Sequence, residues 1–172
     1  MEQWQLMIRD SVHTTDQLVE KFKIDRQIAE SLNEFFQVRI NPYYLSLIRY
    51  PGDPIWLQCV PDVQELQDLD ADSDPLMEDA MSPVPNITHR YPDRVLFLTT
   101  SQCGLYCRFC TRKRKVGDSG KISMKNLESA FQYLEKHTEV RDVIMSGGDP
   151  LMLTDVMLEK IIARLRAIPH IE

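Results

Sequence analysis

Three of the chain's four cysteines, Cys103, Cys107 and Cys110, lie in one short stretch, spaced Cys-x3-Cys-x2-Cys. That spacing brings three thiolates to one small volume and supplies no local fourth. Thiolates are the ligands of iron–sulfur clusters, and a four-iron cube held by three of them keeps one iron open to another molecule. An open coordination position is what turns a bound metal into a reagent. Structural zinc is the competing reading. Zinc prefers four protein ligands, commonly as two separated cysteine or histidine pairs, and here the second pair is missing. Cys59 follows Trp56 and Leu57 in an apolar run and reads as a small buried hydrophobe. Disulfides between residues so close together are disfavoured, and no secretory signal is read at the start of the chain.

The cysteines need a scaffold. Just before them, Val95-Leu-Phe-Leu98 is a short continuous apolar run, the pattern of a buried parallel strand, predicted over about 95–99. A second strand is predicted over 142–145. A helix capped by Ser123, with Leu127, Ala130, Phe131 and Leu134 on its inner face, joins the two. Another begins at Thr154 or Asp155 and carries Met157, Leu158, Ile161, Ile162 and Leu165. Parallel strands joined by a helix cross over right-handed. The cysteine loop then leaves a carboxyl strand end, the face on which β/α barrels do chemistry. The next strand ends in Ser146-Gly147-Gly148-Asp149, and side-by-side strand ends bring Cys110 and Gly147 within reach of one ligand. Glycines there let the backbone approach a ligand closely. Taken alone, Gly-Gly-Asp-Pro reads first as a plain strand-to-helix turn.

Upstream, residues 1–60 read as a helical region. Thr14 or Thr15 caps one helix, and Asp25 caps another with Ile28, Leu32, Phe35 and Phe36 on one face. Asn41-Pro42 opens a short apolar turn or helix, and Pro51, Gly52, Asp53 and Pro54 break the chain. Residues 61–93 form an acidic, proline-rich connecting segment carrying Asp62, Glu65, Asp68, Asp70, Asp72, Asp74, Glu78 and Asp79. With no ligand spacing, these carboxylates read as a solvated, extended wrap. Val63, Leu66 and Leu69 suit one amphipathic turn. Residues 94–172 hold the strand–helix alternation. His13, His137 and His170 read as surface or helix-end residues, and His89 as shaping the loop beside Arg90. A formal charge of −6 and a pI near 5.2 argue against a nucleic-acid phosphate binder. No apolar run is long enough to span a bilayer. Free thiols and an oxygen-sensitive cluster fit a reducing, cytoplasmic setting.

The chain resembles the lysine 2,3-aminomutase family of radical S-adenosylmethionine (radical SAM) enzymes. The stretches that carry the likeness are Asn41–Ile48, Asp74–Asp79, Ser82–Pro85, Thr88–Val95, Cys107-Arg-Phe-Cys-Thr-Arg112, Ser146-Gly-Gly-Asp149 and Ile168–Ile171. They run through the whole chain. Phe109 is a departure, since the best-known members have His there. The resemblance implies an α/β fold, with the N-terminal helical region followed by the first two β/α units of a partial radical SAM barrel. It implies a [4Fe-4S] cluster on Cys103, Cys107 and Cys110, and S-adenosylmethionine bound by Ser146, Gly147, Gly148 and Asp149. Arg90 and Arg94 would grip the phosphate of pyridoxal 5′-phosphate (PLP), and Arg112 the substrate carboxylate. Tyr106 is placed either near the adenine or in packing. Lys113, Arg114 and Lys115 read as a solvated face or as softening the cluster's charge. The implied reaction moves an amino group between adjacent carbons of an amino acid, most naturally L-lysine to β-lysine. A flavodoxin or ferredoxin would donate the electron, and a homo-oligomer is compatible. The alternatives are a glutamate 2,3-aminomutase, a protein-lysine modifying enzyme, or a non-catalytic metal-binding fragment. A full barrel needs roughly 200 residues or more, and this chain reaches Pro169-His-Ile-Glu172 where a third strand is expected. The expectation is therefore an N-terminal portion with no identifiable catalytic residue. In the family, the lysine that bonds PLP and the acids that select lysine's ε-ammonium lie downstream. These 172 residues alone are expected to show no turnover.

Overall fold

A computed structural model describes residues 2–67, 72–118, 120 and 126–172. The chain divides into two compact units, 1–72 with 104–113, and 73–103 with 114–172.

The first unit is helical: α1 (Gln3–Arg9), α2 (Thr15–Phe22), α3 (Arg26–Phe35), α4 (Pro42–Leu47) and α5 (Pro54–Cys59), then a 3-10 turn over Val63–Leu66. Each of α2 to α5 starts where a polar side chain accepts an otherwise orphaned backbone N–H. Thr14 receives Gln17 N, Asp25 receives Gln27 N and Ile28 N, Asn41 receives Tyr44 N, and Asp53 receives Trp56 N. Proline occupies the first turn of α4 and α5, where its missing N–H costs nothing. The core gathers Val12, Leu18, Ala29, Val38, Ile40 and Cys59. Two sequence-based expectations change here. Asp53-Pro54 starts a helix rather than only breaking the chain, because the pair supplies the cap and the first helical residue. Phe35 is 54% exposed, and Ala29 is buried with Leu32 instead.

The second unit holds a three-stranded sheet in the order β1 (Ile87–Tyr91), β2 (Arg94–Thr100), β3 (Asp142–Gly147). β2 and β3 are parallel, with Arg94 opposite Asp142 and Thr100 opposite Gly147. β2 is buried along Val95, Phe97, Leu98 and Thr99, as befits a central strand. Helices α6 (Leu127–Lys136) and α7 (Asp155–Arg166) supply Leu127, Phe131, Leu134, Ile161 and Leu165 to the same core as Val95 and Phe97. Thr154 caps α7. Ser123, Leu69, Asp68 and Asp70 lie outside the described residues, so the cap expected of Ser123 does too. β1 was not anticipated. It forms a hairpin with β2 through Pro92-Asp93, inside a segment that composition marks only as acidic and proline-rich.

The result is a mixed α/β chain: helices, then a sheet with parallel strands joined through a helix, as expected of the partial (β/α) domain that the resemblance implies. Among the described residues no helix is long and apolar enough to cross a membrane.

Candidate functional site

In the sheet unit, the carboxyl ends of β2 and β3 are knitted together beyond the strands. Gly148 N donates to Thr100 O and Asp149 N to Gln102 O at 2.7 Å. Thr99 Oγ1 donates to Ser146 O at 3.1 Å. The two chains approach so closely that glycine is required on one side. A Cβ on Gly147, which has φ +127°, would meet Thr100 O, and one on Gly148 would meet Gln102 O, both well under 3.0 Å. The Gly-Gly pair therefore fixes the chain immediately before Cys103, the last residue of this unit ahead of the loop. Asp149 Oδ1 accepts Leu151 N at 3.0 Å and so starts the 3-10 turn Pro150–Met152. These contacts build the strand-to-helix turn, and they place Ser146–Asp149 beside the residues leading into Cys103.

In the helical unit, the segment 104–113 is tied to the rest of the unit by hydrogen bonds to its backbone at alternating residues. Asn41 Nδ2 donates to Gly104 O at 3.0 Å, Tyr106 N to Arg39 O at 3.0 Å, and Arg108 N to Gln58 O at 2.9 Å. Cys107 and Cys110 begin and end a turn closed by Cys110 N donating to Cys107 O at 3.0 Å. Arg112 N donates to Cys110 Sγ at 3.4 Å, which puts Arg112 next to a candidate ligand. The Tyr106 ring is 2% exposed, stacked on Phe36 with Arg39 over its other neighbourhood at 4.7 Å, a packing position within this unit. Phe109, between the two cysteines, is 66% exposed.

Arg108 is the residue that sequence reading passed over. It is buried, with Nε and Nη2 on the two carboxylate oxygens of Glu65 at 2.9 and 2.7 Å. Its Nη1 donates to the carbonyls of Phe36 and Gln37, and its guanidinium lies 4.8 Å from the Phe36 ring centre. The signal was available: an arginine between two cysteines, with an isolated Glu65 upstream, but charge alone does not reveal a buried pair.

None of the four cysteines is joined in a disulfide. Cys103, Cys107 and Cys110 are partly exposed, while Cys59 is fully buried. Burial, and then the charge of Cys110, pushes the Cys107 thiol up. A thiol whose ionisation is disfavoured by burial and by a neighbouring thiol is a donor that a cation relieves. The chemistry of the donors thus fits an iron–sulfur ligand set. Among the described residues no group of three His, Cys, Asp or Glu side chains is already gathered around a metal-sized space.

Arg90 and Arg94 stand apart from the strand ends where Gly147 and Cys103 lie. They flank the β1–β2 turn at the amino end of β2, roughly 20 Å of strand away from Thr100. Arg94 is engaged with Asp93 through Nε and Nη2 at 3.1 Å each. No phosphate cradle is formed there among the described residues.

The basic and acidic runs also depart from expectation. Lys113, Arg114 and Lys115 are not a solvated face, and of the upstream carboxylates Glu65, Asp74 and Glu78 are drawn in to meet them, while Asp62, Asp72 and Asp79 stay exposed. Arg114 is 13% exposed and reaches Asp74 at 2.6 Å, Asp79 at 3.0 Å and Glu78 at 3.7 Å. Lys115 meets Asp79 at 2.6 Å, and Lys113 meets Glu65 at 3.6 Å. Arg114 and Lys115 hold the Asp79 carboxyl down at about 2. The histidines have partners as well. His89 Nδ1 lies 2.6 Å from Tyr133 Oη, and His137 stacks on the Tyr133 ring.

Residues 97–172 match the radical SAM superfamily. The chain is 43% identical to an L-lysine 2,3-aminomutase of Clostridium subterminale, over 98% of this chain and 42% of that protein. It is 42% identical to an L-lysine 2,3-aminomutase of Bacillus subtilis, over 98% of this chain and 37% of that protein. A glutamate 2,3-aminomutase of Clostridioides difficile is 38% identical, over 98% and 41%. The chain spans about two fifths of the length of the curated relatives it matches.

Proposed function

The chain belongs to the lysine 2,3-aminomutase family of the radical SAM superfamily, and on that premise we propose that Cys103, Cys107 and Cys110 hold a [4Fe-4S] cluster that presents one open iron to S-adenosylmethionine. The observation that carries the reading is three cysteines outside any disulfide, at Cys-x3-Cys-x2-Cys spacing inside the matched region. When bound, cluster and S-adenosylmethionine would supply one-electron radical chemistry, with the electron drawn from a flavodoxin or ferredoxin. The chain's own residues bind and orient. Gly147 and Gly148 hold β3 against the chain entering Cys103. The backbone of Ser146–Asp149 offers polar groups to the amino end of S-adenosylmethionine. Arg112, adjacent to Cys110, offers a paired hydrogen-bond fork to a substrate carboxylate.

The reaction we propose is amino-group migration from carbon 2 to carbon 3 of an α-amino acid. Lysine is favoured over glutamate because identity to the lysine enzymes, 42–43%, exceeds the 38% to the glutamate enzyme. A carboxylate clamp serves both substrates, so Arg112 does not choose between them. PLP is carried by the family likeness, and Arg90 and Arg94 remain the phosphate candidates on that ground. Phosphate binding there would have to displace Asp93 from Arg94.

Anaerobic reconstitution with iron and sulfide tests the cluster directly. About four irons and four sulfides per chain are expected. The reduced cluster's electron paramagnetic resonance signal should change when S-adenosylmethionine is added, and Cys107→Ala should abolish both loading and response. Zinc without sulfide would instead favour a non-catalytic metal site. An unchanged spectrum in Cys107→Ala would remove that ligand assignment.

A further inference from the structure

Cys107 has a thiol neighbour that the cluster motif does not use. Cys59 ends α5, is fully buried, and donates its Sγ to Ile55 O at 3.2 Å. The backbone bond from Arg108 N to Gln58 O, 2.9 Å long, lies between the two cysteines. Cys59 shares a peptide group with its acceptor, and Cys107 shares one with its donor. Standard peptide dimensions then put the two α-carbons roughly 4–6.5 Å apart, whatever the twist about the bond. Disulfides span about 4.4–6.8 Å between α-carbons.

We propose that Cys59 and Cys107 form an oxidisable pair, closed to a disulfide by a hydroperoxide whenever Cys107 is not bound to metal. The inference goes beyond the proposed function and rests on it only in calling Cys107 a cluster ligand. Cys107 is partly exposed and takes the first step. Its sulfur attacks hydrogen peroxide, the O–O bond breaks, and Cys107 sulfenic acid and one water result. The Cys59 sulfur turns from Ile55 O about one side-chain torsion and displaces the hydroxyl. It leaves with the Cys59 proton as a second water. Two thiols have then given two electrons to one peroxide, and an S–S bond has replaced an S–H and an S–OH. Cys110 also stands a turn away from Cys107. A bond between those two would lie in the loop, open to soluble thiols, whereas one to Cys59 is closed in by the α5 core. Shielded disulfides resist exchange longer. The pair would withdraw one cluster ligand after oxidative loss of iron and keep it from over-oxidation until a dithiol reductant returns it.

The test uses the iron-free 172-residue chain, exposed to stoichiometric hydrogen peroxide, alkylated, digested and read by mass spectrometry. The peptides carrying Cys59 and Cys107 should be found joined as the major link, and 4 M urea during oxidation should scatter that preference. Cys59→Val should leave Cys107 open to a sulfenic-acid trap. Peroxide-treated wild type should load less than half of its iron until dithiothreitol is added, and then recover. A dominant Cys107–Cys110 link, or a Cys59 that stays fully alkylated, overturns the proposal. The link is read without iron. A chain that forms it yet never takes up iron and sulfide would therefore sink the cluster reading and leave this one standing.

Discussion

At the scale of single residues, Arg108 is the side chain on which the loop of Cys107 and Cys110 turns. Its charge is out of water, and Glu65 meets it with two hydrogen bonds. Removing one member leaves the other's charge buried without a counter-ion, which costs on the order of 3–5 kcal/mol. Arg108→Ala and Glu65→Ala should each lower the urea-unfolding free energy by about that much. The double substitution should cost less than the sum, since the two share one interaction. The Glu65 carboxyl is pulled two ways. Burial, the largest effect, pushes it up, but Arg108, the Asp62 N–H and Lys113 together bring it below its usual value. Asp79 is the clearer acid, depressed from 3.8 to about 2 by Arg114 and Lys115. A carboxyl held down in the fold stabilises fully above its unfolded value, and that contribution is lost as pH falls through the folded one. Asp79→Asn should therefore lower stability at neutral pH and shallow its loss between about pH 4 and pH 2, so that the unfolding midpoints of the two proteins converge at the acid end. Gly148 acts through space rather than charge. Gly148→Ala forces a methyl into Gln102 O, so thermal unfolding should show a loss of about 1–3 kcal/mol.

Among the secondary-structure elements, the short helices are held mainly by their ends. α4 has six residues, too few to be stable by itself. Asn41 accepts Tyr44 N with its carbonyl and donates to Gly104 O with its amide, so one side chain both starts α4 and anchors the cysteine segment. Asn41→Ala should cost about 1–2 kcal/mol. It should also speed hydrogen exchange in residues 104–108, whereas Asn41→Ser should keep the cap and lose only the anchor. How much of this could be read beforehand follows the range of the forces involved. Local signals were legible: Thr14, Asp25 and Thr154 as caps, Val95–Leu98 as an inner strand, the apolar face of α6, the spacing of the cysteines. What escaped depends on partners distant in sequence. β1 exists because Ile87 and Thr88 face Phe97 and Leu96, and Ile87 alone carries no alternation strong enough to announce a strand. Asp53-Pro54 is a helix start only if the next six residues find a core. Arg114 looks solvated until Asp74 and Glu78, far upstream, close around it. The glycines at 147 and 148 read correctly as places of close approach, but the approaching groups are Thr100 and Gln102 of the chain itself.

For the molecule as a whole, the sheet margins are unequal. β3 ends the sheet on one side, and Ile144 in its middle is 53% exposed. A bare parallel strand with an apolar side chain outward invites pairing with another chain. Ile144→Lys should reduce concentration-dependent association, measured by light scattering across a tenfold dilution, without altering the far-ultraviolet circular dichroism. The other margin is different. On β1, the His89 amide that points away from β2 is already taken by Met81 O at 2.8 Å. In the language of polymer growth, an upstream loop caps one position on the β1 margin, while among the described residues β3 has no strand beyond it. Among the described residues, an added strand would therefore enlist through β3, the margin with no neighbouring strand.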